Sequence, residues 1–203
     1  MNRREALRQV AWLMGGAVSA PALLGLLNGC TAKQPVAGWK PVFLSEEQGA
    51  IVAEIAEIMI PRTDTPGAKD VGIPSFIDAM LKDAYPKEDQ DRFLAGLKEF
   101  EAQARAQHGD AFVKLDPKQR SALVQAANDA AVAAERENTD DSPFERPFVL
   151  MTKELSLLGY FTSQAGATQV LQYNPVPGPY RGCVELSQAG NGKTWAVETS
   201  SRF

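Results

Sequence analysis

The side chains able to do chemistry in this sequence are few and scattered. His108 is the only histidine. A nucleophile–base pair could use it, but it stands beside Gly109 at what reads as a helix end, where a donor side chain helps the exposed carbonyls. Glu54 and Glu57 lie about one turn apart and could form a carboxylate pair. Alternating with Ile55 and Ile58, they read instead as a solvated helix face. Asp64 and Asp70 fall in a proline-rich loop, where acids form turns more often than they bind cations. Cys30 and Cys183 are far apart, which excludes C-x-x-C-H haem attachment and thiolate-rich zinc or iron–sulfur centres. Gly190-Asn191-Gly192 approaches a dinucleotide fingerprint, but Trp195 stands where its third glycine belongs. Gly192-Lys193-Thr194 resembles the tail of a phosphate loop, yet Ser187 replaces that loop's first glycine. No catalytic, cofactor or metal residue is assigned to this chain, and an independent enzyme is disfavoured.

The elements that would position such side chains read as helices. Ser45 and Gln48 form a capping box, with Ile51, Val52, Ile55, Ile58 and Met59 at helical spacing behind them, up to Pro61. The loop Pro61-Arg62-Thr63-Asp64-Thr65-Pro66-Gly67 follows. A second helix is predicted from Pro74 to Tyr85, with Phe76, Ile77, Met80 and Leu81 as its apolar face. A third runs from Lys87 to His108 with Phe93, Leu94, Leu97 and Phe100 inward, and Gly109 as its stop. Asp116 caps a fourth, alanine-rich helix that starts at Pro117 and ends near Glu137. A fifth covers Phe148 to Tyr160, and a short one is expected near 164–171. From Tyr173 proline and glycine dominate. The fold class is mainly α: an irregular helical bundle with an extended Pro/Gly-rich C-terminal arm from about residue 172.

The first 29 residues read differently. Arg3-Arg4, with Leu7 and Arg8 behind them, matches the twin-arginine export pattern except that Ala6 replaces its usual phenylalanine. The apolar stretch from Val10 to Leu27 is interrupted by Gly15, Gly16 and Pro21, and is too short for a strongly apolar span of roughly 20 residues. Leu27-Asn28-Gly29-Cys30 resembles a lipobox, which would lipidate Cys30. Cleavage after Ala20, behind Val18 and Ser19, is the alternative. Residues 30–43 form a tether and 44–203 a single domain. Of 21 basic and 25 acidic side chains, three and one fall in the signal, leaving 18 against 24. That acidic balance does not favour nucleic acid, whose binding relies on basic side chains.

Two stretches together resemble the gluconate 2-dehydrogenase subunit 3 family. One is Ile58 to Ala68 followed by Val71 to Asp78. The other is Gly159 to Ser163, Gly166 to Thr168 and Tyr173 to Cys183. The resemblance implies a non-catalytic small subunit beside a large FAD-binding flavoprotein of the glucose–methanol–choline type that oxidises a sugar, sugar acid or polyol. A multihaem c-type cytochrome often accepts the electrons. It also implies an export escort that carries the twin-arginine signal for a large subunit lacking one. The expected location is the periplasm, attached to the membrane through a lipid on Cys30. The alternatives are a stand-alone periplasmic binding or adaptor lipoprotein and, more weakly, an enzyme with an unrecognised acid–base site.

Within this reading the proline-stiffened arm, with Tyr173, Asn174, Pro175, Val176, Pro177, Gly178 and Tyr180, is assigned to the partner interface. Tyrosines are common interface anchors, and a stiff segment loses little entropy on docking. Cys183 is expected to form a disulfide with the large subunit. A buried free thiol or a bond to Cys30 are the alternatives.

Overall fold

The computed structural model describes residues 39–138, 145–174, 179, 182–188 and 192–196, all within one compact unit that spans Pro35–Phe203. Five α-helices stand among them: α1 (Glu46–Met59), α2 (Ile73–Asp83), α3 (Lys87–His108), α4 (Pro117–Glu137) and α5 (Phe148–Thr162). Three-residue 3-10 turns occur at Phe112–Lys114 and Leu186–Gln188, and a π-helical turn spans Gly166–Val170. Among the described residues there is no strand. A single parallel bridge joins Gln172 to Trp195.

The helix starts follow from their caps. Ser45 Oγ accepts from the Gln48 amide while Gln48 Oε1 accepts from the Ser45 amide. Asp116 and Gln119 repeat the arrangement at α4, with Pro117 at the first helical position. At the end of α3 Gly109 takes a left-handed φ of 79°, as the sequence expectation required. His108 sits exposed in that last turn, beside Gly109 as the sequence placed it.

α5 is the axis of the bundle. Its sequence, FVLMTKELSLLGYFT, is apolar nearly all round, and it packs against each of α1, α2, α3 and α4. Such a helix must be covered on most sides, and the other four do so with narrower stripes. Ile51, Val52 and Ile55 face inward from α1, Ile77 and Leu81 from α2, and Phe93, Leu97 and Phe100 from α3. Phe148 lies 5.8 Å from Phe93 and 5.4 Å from Phe100 between ring centroids, and Phe100 lies 4.9 Å from Phe112. Close approach uses glycine where helices touch. A Cβ on Gly159 would come within 2.6 Å of the Phe76 ring, which joins α5 to α2.

α5 runs two residues past the predicted Tyr160, and the short helix expected at 164–171 is a π-helical turn. The chain reversal that precedes it has a local cause. Ser163 Oγ donates to the Tyr160 carbonyl at 2.6 Å and accepts from the Gly166 amide at 3.0 Å, folding the chain back over the helix end.

Candidate partner interface

The loop Ile60–Gly72 joins α1 to α2, and side chains from three places hold its backbone. Glu57, in the last turn of α1, accepts from the Arg62 amide at 3.2 Å and from the Lys69 amide at 2.9 Å. Asp70 accepts from the Gly67 amide at 2.9 Å and pairs with the Arg62 guanidinium, whose Nε lies 2.6 Å from Oδ2. Tyr160 on α5 is buried, and its hydroxyl donates to the Pro66 carbonyl at 2.7 Å. Backbone bonds add Ala68 N to Ile60 O at 2.9 Å and Thr63 N to Thr65 O at 3.0 Å. Gly67 is required at its position, because a Cβ there would overlap the Glu57 carboxylate and lie 2.7 Å from the Arg62 nitrogen. Gly67 and Ala68 are buried, and satisfying a buried amide avoids a desolvation cost of about 1–3 kcal/mol.

This corrects the reading of Glu54 and Glu57 as a solvated face. Both are part-buried and engaged: Glu57 holds the loop, and Glu54 pairs with Lys69 and with Arg120 of α4. The reason is tertiary. The loop folds back over the flank of α1, and the spacing within α1 carries no trace of that return. Asp70 behaves as the turn-former expected of it. The Arg62 guanidinium, and after it the Gly67 amide, holds its carboxyl below the usual range.

A second anchored segment lies on the N-terminal side. Asp78, on α2, is completely buried and accepts from three successive backbone amides: Val42 at 2.7 Å, Phe43 at 3.1 Å and Leu44 at 2.8 Å. Pro41 and Trp39 lie over Gly49, where a Cβ would come within 2.9 Å and 3.1 Å of their rings. The chain leading into α1 is therefore strapped to the domain. Sequence reasoning missed Asp78, though a signal existed. It falls next to Ile77 and three before Leu81, on the side of α2 that packs inward, where an acid needs donors.

Of the residues assigned to the arm, Tyr173 is 62% exposed and Asn174 is exposed. Pro175, Val176, Pro177, Gly178 and Tyr180 lie outside the described residues, as do Arg3, Arg4, Ala20 and Cys30. The arm is pinned where Gln172 donates through its amide to Thr194 O at 2.9 Å and accepts from Ala196 N at 2.8 Å. Cys183 is exposed in this chain and forms no disulfide with another described residue. No group of three or more His, Cys, Asp or Glu side chains among the described residues is arranged to hold a metal ion. No described helix is long and apolar enough to cross a membrane.

Residues 46–178 match the family described as gluconate 2-dehydrogenase subunit 3. That stretch contains the caged loop, Asp78, Tyr160 and the start of the arm. No curated protein and no solved structure matches the chain.

Proposed function

The chain belongs to the gluconate 2-dehydrogenase subunit 3 family, which makes it an accessory subunit of a dehydrogenase complex, and we propose that it is the non-catalytic escort of that complex's flavoprotein. The family match over residues 46–178 is the observation that carries this reading. The large partner binds FAD and oxidises a sugar, sugar acid or polyol, and a multihaem c-type cytochrome takes the electrons. The twin-arginine pattern at Arg3 and Arg4 gives the division of labour a physical reason. That route carries folded cargo, which suits a partner that must bind its flavin before crossing. One signal then serves two chains, and the pair resides in the periplasm. Lipidation at Cys30 holds it at the membrane, since the several acyl chains of a lipoprotein anchor firmly where one does not.

The test is to replace Arg3 and Arg4 with lysine and follow both chains by cell fractionation. Both are expected to remain in the cytoplasm. Normal arrival of the flavoprotein in the periplasm would defeat the escort role. Copurification of the wild-type chain alone, without a flavoprotein, would favour a stand-alone adaptor.

A further inference from the structure

We propose that residues 193–196 form a clasp that closes on buried Gln172 and opens from it as one unit, while the five helices stay folded.

The clasp is built on one residue. Gln172 follows the π-helical turn and is 7% exposed. Its backbone amide donates to the Thr194 carbonyl at 2.9 Å, and its carbonyl accepts from the Ala196 amide at 2.8 Å. Its side-chain amide donates to the Lys193 carbonyl, 21 positions along the chain. Lys193 Nζ donates in turn to the Gln169 carbonyl within the π-helical turn. Gly192 takes a left-handed φ of 79° and turns the chain into these contacts. A buried polar side chain needs such partners. Here they come from beyond residue 178, where the family match ends.

The same contacts make the clasp easy to release. Lys193, Thr194 and Trp195 are exposed, and none of residues 193–196 belongs to the hydrophobic core. Closing a chain on itself costs entropy that grows with the length closed. Hydrogen bonds within reach of solvent offset that cost only modestly, because water takes over each partner on opening. A segment held this way opens locally, well below the free energy of global unfolding. The buried core runs from Leu44 to Tyr160, so it loses nothing when the clasp parts.

The bonds also share a centre. Main chain and side chain of Gln172 together hold Lys193, Thr194 and Ala196. Losing one bond therefore loosens the others. Closed, the clasp holds both ends of the arm that carries Cys183 at a single base; open, it frees the C-terminal end.

The experiment is native-state hydrogen exchange on the whole chain, for wild type, Gln172→Ala and Ala196→Pro. Gln172→Ala deletes the side-chain bond to Lys193 and leaves both main-chain bonds chemically possible. Ala196→Pro removes the donor to the Gln172 carbonyl and leaves the Gln172 amide its acceptor. In wild type the Gln172 and Ala196 amides should exchange at similar rates, faster than the Leu155 amide in α5. Gln172→Ala should speed exchange at Ala196, and Ala196→Pro at Gln172, each about fivefold. The thermal midpoint of the helices, followed by circular dichroism, should stay in place in both variants. Unchanged exchange at those two amides would mean separate bonds and overturn the proposal. A midpoint that falls in either variant would overturn it too, since clasp and bundle would then open together.

Discussion

Asp78 Oδ1 lies 2.8 Å from the backbone nitrogen of Leu44, 34 residues earlier in the chain. The same carboxylate takes the Val42 and Phe43 amides as well. One buried acid thus fixes the end of the tether and the start of α1 against α2. Hydrogen bonds to a charged acceptor contribute about 1.5–3 kcal/mol each, less where water can replace the acceptor. Val42 is 62% exposed, so the weight falls on Leu44, which is 5% exposed. Asp78→Ala is expected to destabilise the domain by about 2–4 kcal/mol in denaturant unfolding. In native-state hydrogen exchange the Leu44 amide should lose its protection first. A variant as stable as the parent would mean that the strap contributes nothing to the fold.

The loop cage carries its own pH dependence. Asp70 is held below the usual carboxylate range by the Arg62 guanidinium first and the Gly67 amide second. A carboxyl depressed in the folded state contributes stability above its unfolded pKa of about 3.9, and that contribution is lost as pH falls through the lower folded value. The loop should therefore keep its shape from neutral pH down to about pH 4 and loosen below it. Exchange at the Gly67 amide, followed as pH is lowered, reads the change. Asp70→Asn should show fast exchange there already at neutral pH, with the acid-dependent step removed. Exchange at Gly67 that is slow and equal in both proteins across the range would contradict the assignment.

Much of the fold was legible because its signals are local. The boxes at Ser45–Gln48 and Asp116–Gln119, Pro117 at a helix start and Gly109 at a helix end all act within one turn, and the helices begin and end where these residues dictate. The apolar spacing of α1, α2 and α3 likewise names the residues that fill the core. What stayed hidden is the set of polar contacts made across the chain. Glu57 looks solvated until the loop returns over it, and Tyr160 reaches the Pro66 carbonyl from 94 positions away. The buried role of Asp78 depends on amides that precede it by 34 to 36 residues. None of these has a periodicity. The tethering of the arm at Gln172 and Trp195 is of the same kind, since proline and glycine mark where helices stop and not where the chain goes next.

Cys183 offers a direct handle on the complex. It is exposed and lies in the arm assigned to the partner, four residues beyond Pro179 and next to Gly182. Lipidation of Cys30 would consume the only other thiol in the chain. The compartment outside the inner membrane permits disulfides, so the expected pairing is with a cysteine of the large subunit. A covalent link would make reassociation intramolecular and keep the complex together on dilution. Non-reducing electrophoresis of the native complex, with thiols blocked before lysis, reads the outcome. The expected result is one band at the summed mass of the two chains, which separates on adding reductant and is absent for Cys183→Ser. The serine variant should still form the complex at high concentration and lose it on dilution. Separate bands in the blocked, unreduced wild-type sample would exclude the link and leave the arm to bind by its noncovalent contacts alone.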